Sequence, residues 1–166
     1  MDFLHVIVPQ GTPENPKLEK LFLQFLDNLH KSAEHQHLSF EMFGYNQYTY
    51  FFIACDKEVT KLVEGLIYST FPHCEIKHTK DYTEHFKADK HHLVGASMRF
   101  RMSDIYPILK FDHFEGDSLS GIFSVISKLG RHEQTWVQLL VSPVHDDWKY
   151  HFGRRFRMNL NKIGRN

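Results

Sequence analysis

Thirteen histidines, a short acidic group and a basic carboxy-terminal stretch are the parts of this chain whose residue types could do chemistry. A histidine pair that holds a catalytic metal is set about four residues apart on a helix, so that both imidazoles share one face. The pairs here are His35 with His37, His91 with His92, and His145 with His151. The first flanks the expected start of a strand and the second is a direct neighbour pair, so neither has that spacing. Asp112, Glu115 and Asp117 could bind a divalent cation through carboxylate oxygens. They also precede an expected helix, where Asp117 serves naturally as a cap and acidic residues answer the helix dipole. Asp146 and Asp147 beside Trp148 are open to the same two readings. Ser118, Ser120, Ser124 and Ser127 have no nucleophile elbow around them, and no glycine-rich phosphate loop is present. These patterns exclude a P-loop hydrolase. The expectation is a chain that is not an enzyme, with no cofactor and no metal site.

The basic stretch points to binding instead. Lys149, Arg154, Arg155, Arg157, Lys162 and Arg165 place six cations and no acid in the last eighteen residues, with Tyr150, Phe152 and Phe156 among them. Aromatics interleaved with cations suit single-stranded nucleic acid, by stacking bases and neutralising phosphates. The same composition suits a membrane-adjacent or subunit-docking segment. Arg99 and Arg101 lie farther back in the chain, and Arg99, Arg101, Arg154, Arg155 and Arg157 form the candidate nucleic-acid set. Tyr48, Tyr50 and Phe52 would share one face of a strand. Such a row resembles a base-stacking platform. The basic and glycine neighbours of that motif are missing, so core packing is the preferred reading.

Bulk composition narrows the classes further. Twenty basic residues balance twenty acidic ones, which argues against a globally basic nucleic-acid binder. Apolar residues make up 42% of the chain, enough for real cores. No apolar run is long enough to span a bilayer, and the run after Met1 has no basic leader of a signal peptide. Cys55 and Cys74 are expected as reduced, buried thiols.

The elements that must position these residues follow from periodicity. Leu4, Val6 and Val8 alternate in a first strand that Pro9 ends. Leu18, Leu21, Phe22, Phe25, Leu26 and Leu29 mark one face of a helix from Lys17 to about Ala33. Leu38, Phe40 and Met42 alternate before a turn at Gly44-Tyr45-Asn46, and Tyr48 to Cys55 completes a hairpin. Asp56 is expected to cap a helix with the stripe Val59, Leu62, Val63, Leu66 and Ile67, after which Cys74 to Thr79 forms a strand. The order βαββαβ is the ferredoxin-like plan. A polar stretch over 81–92 reads as a linker. A strand over Leu93 to Met102, a helix on Leu119, Ile122, Phe123, Ile126 and Leu129 ending at Gly130, and a strand over Thr135 to Val141 then give a partial β-α-β copy. The expectation is therefore an α+β chain with a ferredoxin-like unit over 1–80, a linker over 81–92, a second half-unit over 93–148 and a basic segment over 149–166. The last segment reads as leading on into a longer protein.

At Phe111-Asp112-His113-Phe114-Glu115-Gly116-Asp117-Ser118-Leu119-Ser120 the chain resembles an uncharacterised domain family of candidate-phyla-radiation bacteria. Ile126-Ser127-Lys128-Leu129, Glu133 to Gln138, Val63 to Pro72 and Asp104 to Ile108 fit the same pattern, over about residues 38 to 148. The resemblance implies an accessory part of type IV secretion or conjugation-like machinery, associated with HerA- or VirB-type ATPases and commonly membrane-anchored. It carries no catalytic residues. It implies a non-enzymatic scaffold whose partners are protein subunits of a translocation complex, in the cytoplasm or at the inner face of the membrane. Any membrane contact of this chain would run through those partners or through further segments. The apolar loop from Ser103 to Gly116 is the expected contact surface, and Tyr106, Phe111 and Phe114 within it and Trp148 beyond it are the expected partner-binding residues. A nucleic-acid-binding module is the alternative, and a metal-dependent hydrolase or nuclease ranks third.

Overall fold

The computed structural model describes residues 1–9, 18–32, 36–86, 92–99, 101, 113, 116–117 and 119–143. The chain divides into two compact units, Met1–Phe86 with Glu115–Pro143, and Lys87–Phe114 with Val144–Asn166.

In the first unit, strand β1 (Asp2–Ile7) leads to helix α1 (Leu18–Ser32), and the hairpin β2 (Leu38–Tyr45) and β3 (Tyr48–Cys55) follows. Helix α2 (Thr60–Thr70), strand β4 (Glu75–Thr79), helix α3 (Ser120–Ile126) and strand β5 (Gln134–Val141) complete it. The five strands form one sheet in the order β4-β1-β3-β2-β5, and every neighbouring pair is antiparallel.

Register decides which side chains meet. Leu4 lies opposite Ile53, and Ile53 opposite Phe40, so these residues share one face. On that face α1 and α2 lay down Phe25, Leu29, Val63 and Ile67, which with Val59 just ahead of α2 and Leu4, Leu38, Ile53 and Cys55 form the core. The helix stripes read from spacing bury in part: Phe25, Leu29, Val63 and Ile67 go into the core, whereas Leu18 and Phe22 stay exposed at 51% and 39%. Burial raises the thiol pKa of Cys55, more strongly than the Thr60 hydroxyl beside it lowers it. Both cysteines are free thiols, Cys55 buried and Cys74 half-buried.

Four local expectations change. Asp56 does not cap α2 through its side chain, because the helix begins later, at Thr60. Its backbone carbonyl instead closes the preceding turn onto the amide of Val59, and the Thr60 hydroxyl donates to Asp2 Oδ2 at 2.9 Å. Gly44 is no turn residue. The turn is Asn46-Gln47, both with positive φ (51° and 67°), the two-residue geometry that matches strand twist. Gly44 sits inside β2, where a Cβ would come within 2.7 Å of Thr135 Cγ2 and 2.8 Å of Ile126 Cγ1. It is the gap that lets α3 and β5 close on the hairpin. Third, α3 ends at Ile126 rather than Gly130, whose amide instead donates to Glu133 Oε2 in the turn before β5.

The fourth change concerns the partial second copy. Its final strand, β5, adds to the edge of the first sheet by pairing with β2, Phe40 opposite Leu139 and Met42 opposite Val137. Its expected first strand is not formed over 92–99, where the chain has no regular structure and Leu93, Val94 and Met98 are exposed. Alternating side chains make a strand only where a neighbouring strand supplies the ladder and a surface to cover.

Two substitutions test this packing. Gly44→Ala should cost about 1–3 kcal/mol in denaturant unfolding, because the atoms it meets belong to stiff β-branched side chains. Gln47→Gly should stabilise by about 0.5–1 kcal/mol, because glycine adopts positive φ without a Cβ clash.

Candidate functional site

The face of the sheet opposite α1 and α2 is apolar too. Alternation and register place Phe3 and His5 of β1, Phe43 and Glu41 of β2, Tyr50 and Phe52 of β3, and Trp136 and Gln138 of β5 on it. Its cover comes from a stretch whose composition reads as a linker. After β4, Asp81 Oδ1 accepts from the amide (2.8 Å) and hydroxyl (2.6 Å) of Thr83, and a single 3-10 turn forms over Tyr82–His85. This turn drives Tyr82 onto the sheet. Its ring stacks on Phe43 and Phe52, with centroids 4.7 and 4.9 Å away, and meets Phe3 and Trp136 edge-on. Phe86 then packs edge-on against Trp136 at 5.2 Å.

At the centre of this layer lies a buried acid. Glu41 is 5% exposed, and both its carboxyl oxygens accept hydrogen bonds. Tyr82 Oη donates to Oε2 at 2.6 Å and Gln138 Nε2 to Oε1 at 3.2 Å. A buried charge needs such partners to be tolerated. Burial, then the bond to Glu41 and its charge, push the Tyr82 phenol well above the ordinary tyrosine range. Tyr82 is therefore a donor at every physiological pH. The arrangement is a latch, joining β2, β5 and the turn after β4 through one carboxylate.

Toward the hairpin end the cover stops. Tyr48 is 66% exposed, Tyr45 is exposed and Tyr50 is half-buried beside His5, whose ring lies 5.8 Å away. Burial, and then Lys77, hold His5 below the usual histidine range, which favours its neutral ring. A shallow depression of about 280 Å³ opens here, with His5, Ile7, Thr49 and Tyr50 in its wall. The expected row Tyr48, Tyr50, Phe52 thus divides: Phe52 belongs to the buried layer and the tyrosines to the surface.

The other expected site residues are placed unequally. Arg99 and Arg101 are exposed and belong to the second unit. Tyr106, Phe111, Phe114, Trp148, Arg154, Arg155 and Arg157 lie outside the described residues. So do Asp112 and Glu115 of the acidic group, whereas Asp117 Oδ1 accepts from the amide of Leu119 at 2.9 Å, just ahead of α3. Among the described residues, no three His, Cys, Asp or Glu side chains are placed to hold a metal ion together. Glu41, Tyr82 and Gln138 escape sequence reasoning. The only local signal is one acid among alternating apolar residues in β2, which leaves its partners unnamed.

Among the described residues these features define an α+β protein with a five-stranded antiparallel sheet, three helices on one face and an aromatic layer on the other. The family described as Domain of unknown function (DUF8128) matches residues 18–161, and the chain belongs to that family. No curated protein and no solved structure matches the chain. Among the described residues no helix is long and apolar enough to cross a membrane.

Tyr82→Phe keeps the ring but strips one donor from a buried carboxylate, so unfolding free energy should fall by about 1.5–3 kcal/mol. Wild-type stability should also depend on alkaline pH with a definite sign. The unfolded phenol ionises near its ordinary pKa of about 10, whereas the folded one keeps its proton to higher pH. The contribution of Tyr82 is thus full below about pH 10 and is lost as pH climbs through the folded value. Phenolate absorbance should show one of the seven tyrosines titrating only as the protein unfolds.

Proposed function

We propose that this protein is a non-enzymatic binding and assembly module whose contact surface is the uncovered end of the aromatic face, at Tyr45, Tyr48, Tyr50 and His5. The observation that carries this reading is the contrast along one sheet face. Tyr82 and Phe86 seal the middle, whereas two tyrosines at the hairpin end remain at the surface. Tyrosine combines a large apolar contact area with a polar tip and little conformational freedom to lose, which is why it is enriched at the centres of interfaces.

The sheet order β4-β1-β3-β2 and its antiparallel pairing support a ferredoxin-like βαββαβ arrangement, to which β5 is an addition. The partners in this reading are protein subunits of a type IV secretion- or conjugation-like apparatus, including a HerA- or VirB-type ATPase. The setting is the cytoplasm or the inner face of the membrane. That narrower assignment rests on the sequence resemblance alone. Nucleic-acid binding is the second reading, supported by the exposure of Arg99 and Arg101.

Affinity capture from the native host's lysate tests both readings, using wild type and a Tyr45→Ser/Tyr48→Ser/Tyr50→Ser variant, with and without nuclease. The expected result is an ATPase or membrane subunit enriched by wild type, lost with the variant and insensitive to nuclease. Recovery of the same proteins by both baits overturns the tyrosine surface. Partners that vanish with nuclease transfer the assignment to nucleic acid, where affinity should fall steeply with salt.

A further inference from the structure

The two edges of the sheet differ in a way that the tyrosine surface does not explain. β4, at one edge, is five residues long and carries Glu75, Lys77 and His78. Short, charged edges are how soluble sheets prevent further strands from adding. β5, at the other edge, is eight residues long, Gln-Thr-Trp-Val-Gln-Leu-Leu-Val, with no charge, no proline and no glycine. Leu139 is 59% exposed and Leu140 is 71% exposed, one on each face of the sheet. Among the described residues no strand pairs with the outer side of β5.

We propose that this edge is a homodimerisation site, where β5 of one copy pairs antiparallel with β5 of a second copy to make a continuous ten-stranded sheet. The strand is self-complementary in three respects. Because it is uncharged, a two-fold axis brings no like charges together, as it would across β4. An axis through Gln138 sets Val137 opposite the copy's Leu139 and Trp136 opposite the copy's Leu140. Both exposed leucines then gain an apolar neighbour on their own face of the sheet. At the axis the two Gln138 side chains meet, each with one amide N–H left after its bond to Glu41. The seam is narrow, about 27 Å along the strand at ~3.4 Å per residue, so the dimer should form and dissociate with concentration.

Sedimentation equilibrium of the full chain, from micromolar to millimolar, tests the inference. The expected result is a monomer–dimer equilibrium whose Kd rises at least about tenfold in Leu139→Lys/Leu140→Lys and is unchanged in Tyr48→Ser. Both leucines are exposed, so the lysines should leave the far-UV circular dichroism intact. Hydrogen exchange of wild type supplies a readout that needs no variant: amides of β5 should gain protection as concentration rises. A wild-type chain that stays monomeric overturns the proposal. So does a dimer whose Kd the lysines leave unchanged, or one that adds no protection to β5.

Discussion

A sheet that is apolar on both faces has to be covered twice, and most of this structure answers that requirement. The need is greatest at β3, where Phe52, Ile53, Ala54 and Cys55 are buried in succession although alternate residues point in opposite directions. Two amphipathic helices satisfy one side in the usual way, by laying aliphatic and aromatic stripes over Leu4, Leu38 and Ile53. Among the described residues no long helix covers the other side. A four-residue 3-10 turn and the residue after it do that work with the rings of Tyr82 and Phe86, and the aromatic layer is therefore thin and anchored at a point by Tyr82.

Anchoring at a point explains why an acid lies beneath that ring. Stacking of Tyr82 on Phe43 and Phe52 would tolerate small slides of the ring, since aromatic contacts are broad in geometry. The bond to Glu41 fixes the phenol, and the bond from Gln138 ties the added strand to the same atom group. Buried charges are weak sources of stability but can define one arrangement among several. Here the carboxylate specifies which residue of the turn after β4 meets the sheet.

The helices and the hairpin were legible because their signals are local. Phe25 and Leu29 recur at helical spacing, and Phe40 and Met42 alternate, so burial could be read without knowing the neighbours. Three features were not legible for one shared reason. Gly44 reads as turn chemistry until Ile126 is brought against it, Tyr82 lies among polar residues with no period, and β5 reads as the last strand of a second half-unit. Each takes its meaning from a residue distant in the chain. The proposed contact surface was half legible: alternation placed Tyr48, Tyr50 and Phe52 on one face, but only Tyr82 decides which of them is covered.

The pairing of β2 with β5 bears on how the protein comes to fold. Glu41 and Gln138 are separated by 97 residues of chain, and the second unit's 87–114 segment is made between them. On a ribosome, β1 to β4 and both large helices emerge complete while β2 still presents a bare edge. Long-range strand pairing is slow to close, and an open apolar edge invites neighbours in the meantime. Synthesis of β5 then covers the edge of β2 and puts its own edge in that place, so the bare edge of β2 is exposed longest just before Gln134 appears.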